Sequence, residues 1–446
     1  MEREDLESVL DDIRYLAEHR DVSMVKTVLL AARPADVAEI VRHLPEELGR
    51  YVFGLLDPER ASDVLLELDD FSRERLAAGL DRERLSALID VMDSDDAADV
   101  VKDLPASMAE SVLETIPDED SAEVRTLLQH EEDTAGGLMQ LELVAVPARS
   151  TVDEAIQEVR RRAGMIEHVY DLYVVGEGGQ LRGVISLDRL LTAAGSARVE
   201  EIMDENAVVV GTDVDQEEVA KLFKRYNLIA LPVVDRERRL VGRITVDDVI
   251  DVVVDEASED IRRLAGVGEE EYRETSPFRI SRARLPWLLL GLTGGVCSAA
   301  LLSRYEGSLA RNLPLAFFVP VVTAMGGNIG IQSSAIVISG LASGEISIRD
   351  SGRRILQELR VGLLNAIVCG LAIALVTSPW QGQEIGFVVT TALVTVILSA
   401  SLIGSTVPLV LHRFGLDPSL ATGPFITASN DILGLIVYMT IAGILR

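Results

Sequence analysis

Asp431 is the one acidic residue well inside an apolar stretch of this sequence, in the run Thr427-Ala-Ser-Asn-Asp431. An unpaired carboxylate at the centre of a bilayer costs at least about 2.5 kcal/mol, so it calls for a cation, a proton or a water-filled path. No Lys or Arg stands in the apolar stretches to pair with it. A second polar run, Thr323-Ala-Met-Gly-Gly-Asn-Ile-Gly-Ile-Gln332, lies in another such stretch. Gly327, Asn328, Gln332, Thr427 and Ala428 are therefore candidates to line a polar path with Asp431. The glycines allow close helix approach or exposed carbonyls, and Pro320, Pro408 and Pro424 can free further carbonyls. Two plainer readings stand beside this one: a protonated carboxyl hydrogen-bonded between helices, and amides that hold helices together.

If a two-fold axis brings two copies of Asp431 together, they form a pair of carboxylates among amides, hydroxyls and carbonyls. Such an all-oxygen site suits a hard divalent cation. Mg2+ keeps much of its water and is commonly held by one or two carboxylates, whereas Ca2+ takes six to eight oxygens. A sparse site leans toward hydrated Mg2+ without excluding Mn2+ or Co2+.

A second constellation lies before the apolar half. Asp248, Asp251, Asp255 and Glu259 recur at spacings of three and four, which places them on one helix face, with Val249, Val253 and Ala257 on another. Like charges at i,i+4 repel by up to about 0.5 kcal/mol per pair in an isolated helix. A divalent cation between this face and another acidic surface would remove the repulsion and favour a compact state; a solvated acidic face is the plainer reading.

Five apolar stretches, at about 285–303, 313–341, 362–380, 385–411 and 422–445, are each long enough to cross a hydrocarbon core of roughly 30 Å. Arg279, Arg282 and Arg284 precede the first, Arg349, Arg353, Arg354 and Arg360 follow the second, and His412 and Arg413 follow the fourth. The positive-inside rule then puts the N-terminal portion in the cytosol and the C-terminus outside. Met1 is followed by charged residues without an apolar signal core, which agrees.

From Ala283 onward there are nine Arg, no Lys and seven acidic residues, so of the 42 basic and 72 acidic residues, 33 and 65 stand earlier. Nearly all of the net charge of -30 belongs to that first part, which disfavours nucleic acid and favours cations. Cys297 and Cys369, the only cysteines, lie in apolar runs and offer no disulfide framework. There is no nucleophile-base arrangement, phosphate loop or metalloenzyme motif, so no catalysis is expected.

The acidic part has two patterns. Leu44, Leu56, Leu68, Leu80, Met92, Leu104, Ile116 and Leu128 recur every 12 positions, and the next residue is Pro or Asp in seven of the eight cases. This predicts an all-α superhelix of short helices, of either hand, each started by its Asp or Pro. After Thr134 the pattern becomes two copies of an α/β unit, sharing Arg182-Gly-Val-Ile-Ser-Leu-Asp-Arg-Leu and Val241-Gly-Arg-Ile-Thr-Val-Asp-Asp-Val.

These copies resemble a tandem pair of cystathionine-β-synthase (CBS) domains, a regulatory module that often binds adenine nucleotides. The resemblance implies a nucleotide ribose held at Thr245 and Asp248, in the pattern Gly242-x-x-Thr-x-x-Asp; Ser186 and Arg189 stand at the matching places of the first copy. With an acidic helical repeat before the pair and five membrane helices after it, Gly326-Gly-Asn-Ile-Gly-Ile-Gln332 and Asp417-Pro-Ser-Leu-Ala-Thr-Gly-Pro together with Asn430-Asp431 resemble the bacterial MgtE family of Mg2+ channels.

The resemblance covers essentially the whole chain. It implies a homodimer in the bacterial inner membrane whose pore runs along the two-fold axis, with Asp431 in the selectivity site and cytosolic Mg2+ closing the pore. It places the gating carboxylates at Asp95, Asp99, Asp248, Asp251, Glu256, Glu259, Asp260 and Asp417. The expected division is 1–131 helical superhelix, 132–199 and 200–249 CBS domains, 250–282 connecting plug helix and linker, and 283–446 pore domain. Gly423 departs from family members with Asn there. Two other functions fit the same architecture: a cation-coupled divalent-metal transporter, and a nucleotide-sensing membrane receptor that transports nothing.

Overall fold

The computed structural model describes residues 3–164, 166, 168–264, 276–342, 346, 351–420 and 423–445. It forms two compact units, Met1–Val253 and Val254–Arg446.

The first unit begins with ten short helices, as the 12-residue period predicts: α1 (Arg3–Glu18), α2 (Val22–Ala31), α3 (Pro34–His43), α4 (Glu46–Phe53), α5 (Pro58–Leu66), α6 (Asp70–Ala77), α7 (Arg82–Ile89), α8 (Ser94–Asp103), α9 (Ala106–Leu113) and α10 (Asp118–Leu127). Asp57, Asp69 and Asp81, one period apart, each accept a backbone N–H three residues on, at 3.0, 3.1 and 2.8 Å, and so satisfy an orphan donor of the next helix. The periodic Leu44, Leu56, Leu68 and Leu104 are buried in the core between successive units.

Two α/β repeats follow. The first has β1 (Ala145–Pro147), α11 (Val152–Arg162), β2 (Asp171–Val175), β3 (Leu181–Ser186) and α12 (Leu187–Thr192). The second has α13 (Val199–Ile202), β4 (Val210–Gly211), α14 (Gln216–Tyr226), β5 (Ala230–Val234), β6 (Leu240–Thr245) and α15 (Val246–Leu264). Each repeat makes a three-stranded sheet with a parallel pair, β1-β2 or β4-β5, and an antiparallel one, β2-β3 or β5-β6. Helix α15 starts directly after β6 and runs unbroken past residue 250, where composition alone suggested a boundary. Its sequence lacks Gly and Pro, so nothing stops it there.

The second unit contains α16 (Pro277–Ser303), α17 (Glu306–Arg311), α18 (Pro314–Ala342), α19 (Ser351–Gln381), α20 (Gln383–Arg413) and α21 (Gly423–Ile444). Five of them are long and apolar enough to cross a membrane. Glycine sets how closely they pack. A Cβ on Gly404 of α20 would stand 2.5 Å from the Gly330 carbonyl oxygen of α18, and one on Gly294 of α16 would stand 2.7 Å from the Ala428 Cβ of α21. The buried Tyr438 hydroxyl donates to the Leu315 carbonyl at 2.8 Å, tying α21 to the start of α18.

Candidate cation sites

The helix α8 is where the 12-residue repeat changes its chemistry. Asp93 stands at the cap position but makes no capping bond with its side chain. Glu142, from the segment leading into β1, takes its place: it accepts from the Ser94 amide at 3.1 Å and from the Ser94 hydroxyl at 2.8 Å. The Ser94 hydroxyl in turn accepts from the Leu141 amide at 2.9 Å. The helical array is thus fastened to the α/β repeats through the start of α8.

This junction gathers carboxylates. Asp95 is buried, at 7% exposure, and its pKa is well above the ordinary value because of burial first, then of the neighbouring Asp96 and Asp248. Asp96 is pushed up to about 7 by burial and by Asp248, Asp93 and Asp99, with Arg73 opposing. Asp248, on the first turn of α15, is pushed up to about 6 by burial and by Asp247 and Asp251, although the Thr245 hydroxyl donates to it at 2.8 Å. Burial raises Asp99 as well, against Lys102 at 3.5 Å and Arg73. Asp251 is raised by burial and by Asp247. Asp95, Asp99, Asp248 and Asp251 thus share one acidic region with the unforeseen Asp96 and Glu142. Burial is the first cause of each of these shifts, and like-charged neighbours add to it at Asp95, Asp96, Asp248 and Asp251. Among the described residues no three His, Cys, Asp or Glu converge as a ready metal-ligand set, so a cation here would be held partly through its waters.

Further along α15, Arg263 bridges Glu259 and Asp417, which precedes the short Pro418–Leu420 turn. Asp417 also accepts from the Ser419 amide at 2.7 Å. Two carboxylates expected to meet a metal ion thus share an arginine of the chain. Glu256 is half-buried on the same helix, and the side chain of Asp260 lies outside the described residues.

A cleft of about 420 Å³ opens between the two α/β repeats, lined by Tyr170, Asp171, Ser186, Asp188, Asn227 and Ile229 among others. Asn227 ends α14 in the left-handed conformation, which turns the chain into the cleft wall. Thr245 and Asp248 are not in its lining; the Thr245 hydroxyl is already given to Asp248 at the acidic junction. In the first copy Asp188, one residue before Arg189, holds the carboxylate, and bonds from Ser186 and backbone N–H groups keep it below the ordinary range.

In the second unit the two polar runs are neighbours, since a Cβ on Gly327 would lie 3.7 Å from the Thr427 methyl. Asn328 and Gln332 are exposed on α18 in the single chain, and Asp431 is half-buried on α21. No hydrogen bond or ion pair holds the Asp431 carboxylate among the described residues. Ala428 packs on Gly294 of α16. Two buried polar residues escaped sequence reasoning. Asn430, 3% exposed, packs on Gly330 with its Nδ2 unpartnered among the described residues. Glu358, 5% exposed, accepts from Arg354 at 2.8 Å near the start of α19, where the adjacent charges hid it from a search for apolar runs.

Comparison with known proteins places all three regions. The model of the MgtE family, described as divalent cation transporters, matches residues 319–441, that of the MgtE intracellular N domain matches 32–133, and the CBS domain matches 135–196 and 199–255. The chain is 37% identical over 433 residues to the magnesium transporter MgtE of Thermus thermophilus, covering 95% of this chain and 96% of that one. It is 34% identical over 418 residues to that of Bacillus subtilis, covering 94% and 93%. Among solved structures, the cytosolic domain of the Mg2+ channel MgtE in complex with ATP matches with a TM-score of 0.52 and 38% identity, over 55% of this chain and 99% of that one.

Proposed function

Given that this chain belongs to the MgtE family of magnesium transporters, we propose that it is a homodimeric, Mg2+-selective channel of the bacterial inner membrane, closed by the Mg2+ it admits. The observation that carries the reading is Asp431: a half-buried carboxylate on an apolar helix, without a protein partner among the described residues, beside a glycine-rich polar helix. Two such residues facing each other across a dimer axis supply two negative charges to a hydrated divalent ion. The ion keeps most of its water, and the amides, hydroxyls and carbonyls around it accept that water's hydrogen bonds.

Closure follows from linkage. The acidic region at Asp95, Asp96, Asp99, Asp248 and Asp251 is repulsive without a counter-ion, and the family resemblance adds Glu256, Glu259, Asp260 and Asp417 as further gating carboxylates. Mg2+ that binds the compact arrangement more tightly than the loosened one shifts the population toward the compact, closed form. This portion faces the cytosol and the C-terminus faces outward, as the arginine distribution implies.

ATP is the second ligand in this reading. The relative solved with ATP shares this part of the chain, and the cleft fits the nucleoside: its volume is in the usual ligand range, while Ser186 and the ionised Asp188 offer acceptors for ribose hydroxyls. Asp188 would hold the ribose, and Tyr170 offers the base an aromatic face.

Reconstitution tests the proposal. Proteoliposomes should take up Mg2+ down its gradient without any pH difference, and uptake should fall as Mg2+ on the side of the acidic portion rises. Strict dependence on a pH gradient would replace the channel by a coupled transporter. No divalent-ion flux at all would leave a receptor.

A further inference from the structure

Arg243 of β6 is 2% exposed, and no carboxylate lies within salt-bridge distance among the described residues. Burying a guanidinium without an ion pair is costly unless its donors are all well placed. Its Nε and Nη2 donate to the Gln140 Oε1 at 2.9 and 2.6 Å, and its Nη1 donates to the His168 carbonyl at 2.7 Å. The backbones of Gln140 and Arg243 exchange hydrogen bonds in both directions, at 2.8 and 2.9 Å. Gln140 then uses its own Nε2 to donate to Asp95 at 3.4 Å.

The result is a buried line of polar contacts from the acidic junction at α8 to the His168 carbonyl, next to the Val169–Asp171 wall of the cleft. Its two ends differ in stiffness. The arginine fork is fixed by three short bonds, whereas the contact to Asp95 is the longest in the line and the easiest to change. The same guanidinium acts on the cleft by charge: it opposes the burial that pushes Asp171 up to about 6.

We propose that Gln140 and Arg243 are positioning residues through which a divalent cation at the Asp95 junction sets the Val169–Asp171 wall for nucleotide, so that the two ligands bind cooperatively. The proposal rests on the cation and nucleotide sites inferred above. A cation that settles the Asp95 carboxylate fixes the acceptor of Gln140. Gln140 then holds the arginine, and the arginine holds the wall through the His168 carbonyl.

The test uses the full-length protein in nanodiscs, with and without buffered free Mg2+. Amide hydrogen exchange of Val169–Tyr173, without nucleotide, should slow by at least about fivefold on adding Mg2+, and ATP should bind tighter by a similar factor, the low end of ordinary coupling between sites. In Gln140→Met both ratios should fall to about one while Mg2+ still raises Tm as in the parent. Arg243→Lys, which keeps the charge but not the fork, should weaken both and serves if the first variant folds poorly. Parental ratios in both variants, or a parent whose wall does not respond to Mg2+, would overturn the proposal. If ATP fails to bind the parent while its wall responds to Mg2+ and that of Gln140→Met does not, the nucleotide assignment is wrong and the positioning role stands.

Discussion

Gly327 on α18 lies against Thr427 on α21, close enough that a Cβ on the glycine would meet the threonine methyl at 3.7 Å. That contact joins two polar runs far apart in the sequence and puts Asp431, one turn beyond Thr427, beside the same helix pair.

Because 3.7 Å is an ordinary van der Waals separation, Gly327→Ala should fold and change Tm little. Gly404→Ala should not be tolerated so well. Its Cβ would sit 2.5 Å from the backbone oxygen of Gly330, which cannot swing aside. Overpacking of this kind costs about 1–3 kcal/mol, so thermal unfolding of the detergent-solubilised protein should separate the two variants clearly.

Asp431→Asn should lower Mg2+ flux by at least about tenfold, equivalent to 1.4 kcal/mol, while leaving Tm within a few degrees of the parent. The amide keeps the side chain's shape and removes its charge. Unchanged flux and ion preference in proteoliposomes would take Asp431 out of the ion path.

The acidic junction makes stability depend on pH in a definite direction. Native Asp96 and Asp248 keep protons up to about pH 7 and 6, whereas carboxyls of this type ordinarily ionise near 3.8. Between those values the native state binds more protons than the unfolded chain, so stability should fall as pH rises from about 4 to 7 in the absence of divalent ions. Mg2+ should restore it, by about 2.7 kcal/mol at a hundred times its Kd. The gain should be larger at pH 7.5 than at pH 5, where protons already occupy the site. Tm measured over a grid of pH and Mg2+ checks both trends.

The proposed nucleotide site places the binding carboxylate at Asp188, which lines the cleft. Asp188→Ala should weaken ATP by at least about tenfold, as loss of hydrogen bonds to a charged group costs about 1.5–3 kcal/mol. Asp248→Ala should leave direct nucleotide contacts intact. Isothermal titration of both variants at one fixed Mg2+ concentration decides between the repeats.

In the proposed closed state Arg263, which pairs with Glu259 and Asp417, would compete with Mg2+ for both carboxylates. As an exposed bridge it contributes at most about 1 kcal/mol, so Arg263→Gln should fold normally. With both carboxylates released, Mg2+ should close the channel at lower concentration. Single-channel recording against a Mg2+ series would show the midpoint move; an upward shift would mean that the arginine is itself part of the closed arrangement.

Much of this was legible from residue patterns. The 12-residue period worked because each repeat carries its own helix start and its own core leucine, both local features. The apolar stretches located the long helices, although α16 and α19 extend well before the apolar part because charged residues continue a helix outside the hydrocarbon. Asp96 and Glu142 were missed because only tertiary contact brings them to Asp95 and Asp248. The ribose motif pointed to Thr245 and Asp248; the Thr245 hydroxyl is given to Asp248 at the start of α15, while the lining of the open cleft includes Ser186 and Asp188. Nothing in the spacing of either motif tells which copy of a repeat keeps its ligand face free.

The cap aspartates also bear on how mutants of this protein will sort in a living cell. Asp57, Asp69 and Asp81 spend their charge on backbone N–H groups, whereas Asp93, next in the series, does not cap and instead adds its charge at Asp96. A growth selection that neutralises acidic residues one at a time should therefore yield two phenotypes from chemically identical changes. Losing one of the first three should reduce the amount of protein whatever the medium contains. Losing Asp93 removes no capping bond of this kind, and should change how much external magnesium the cells tolerate.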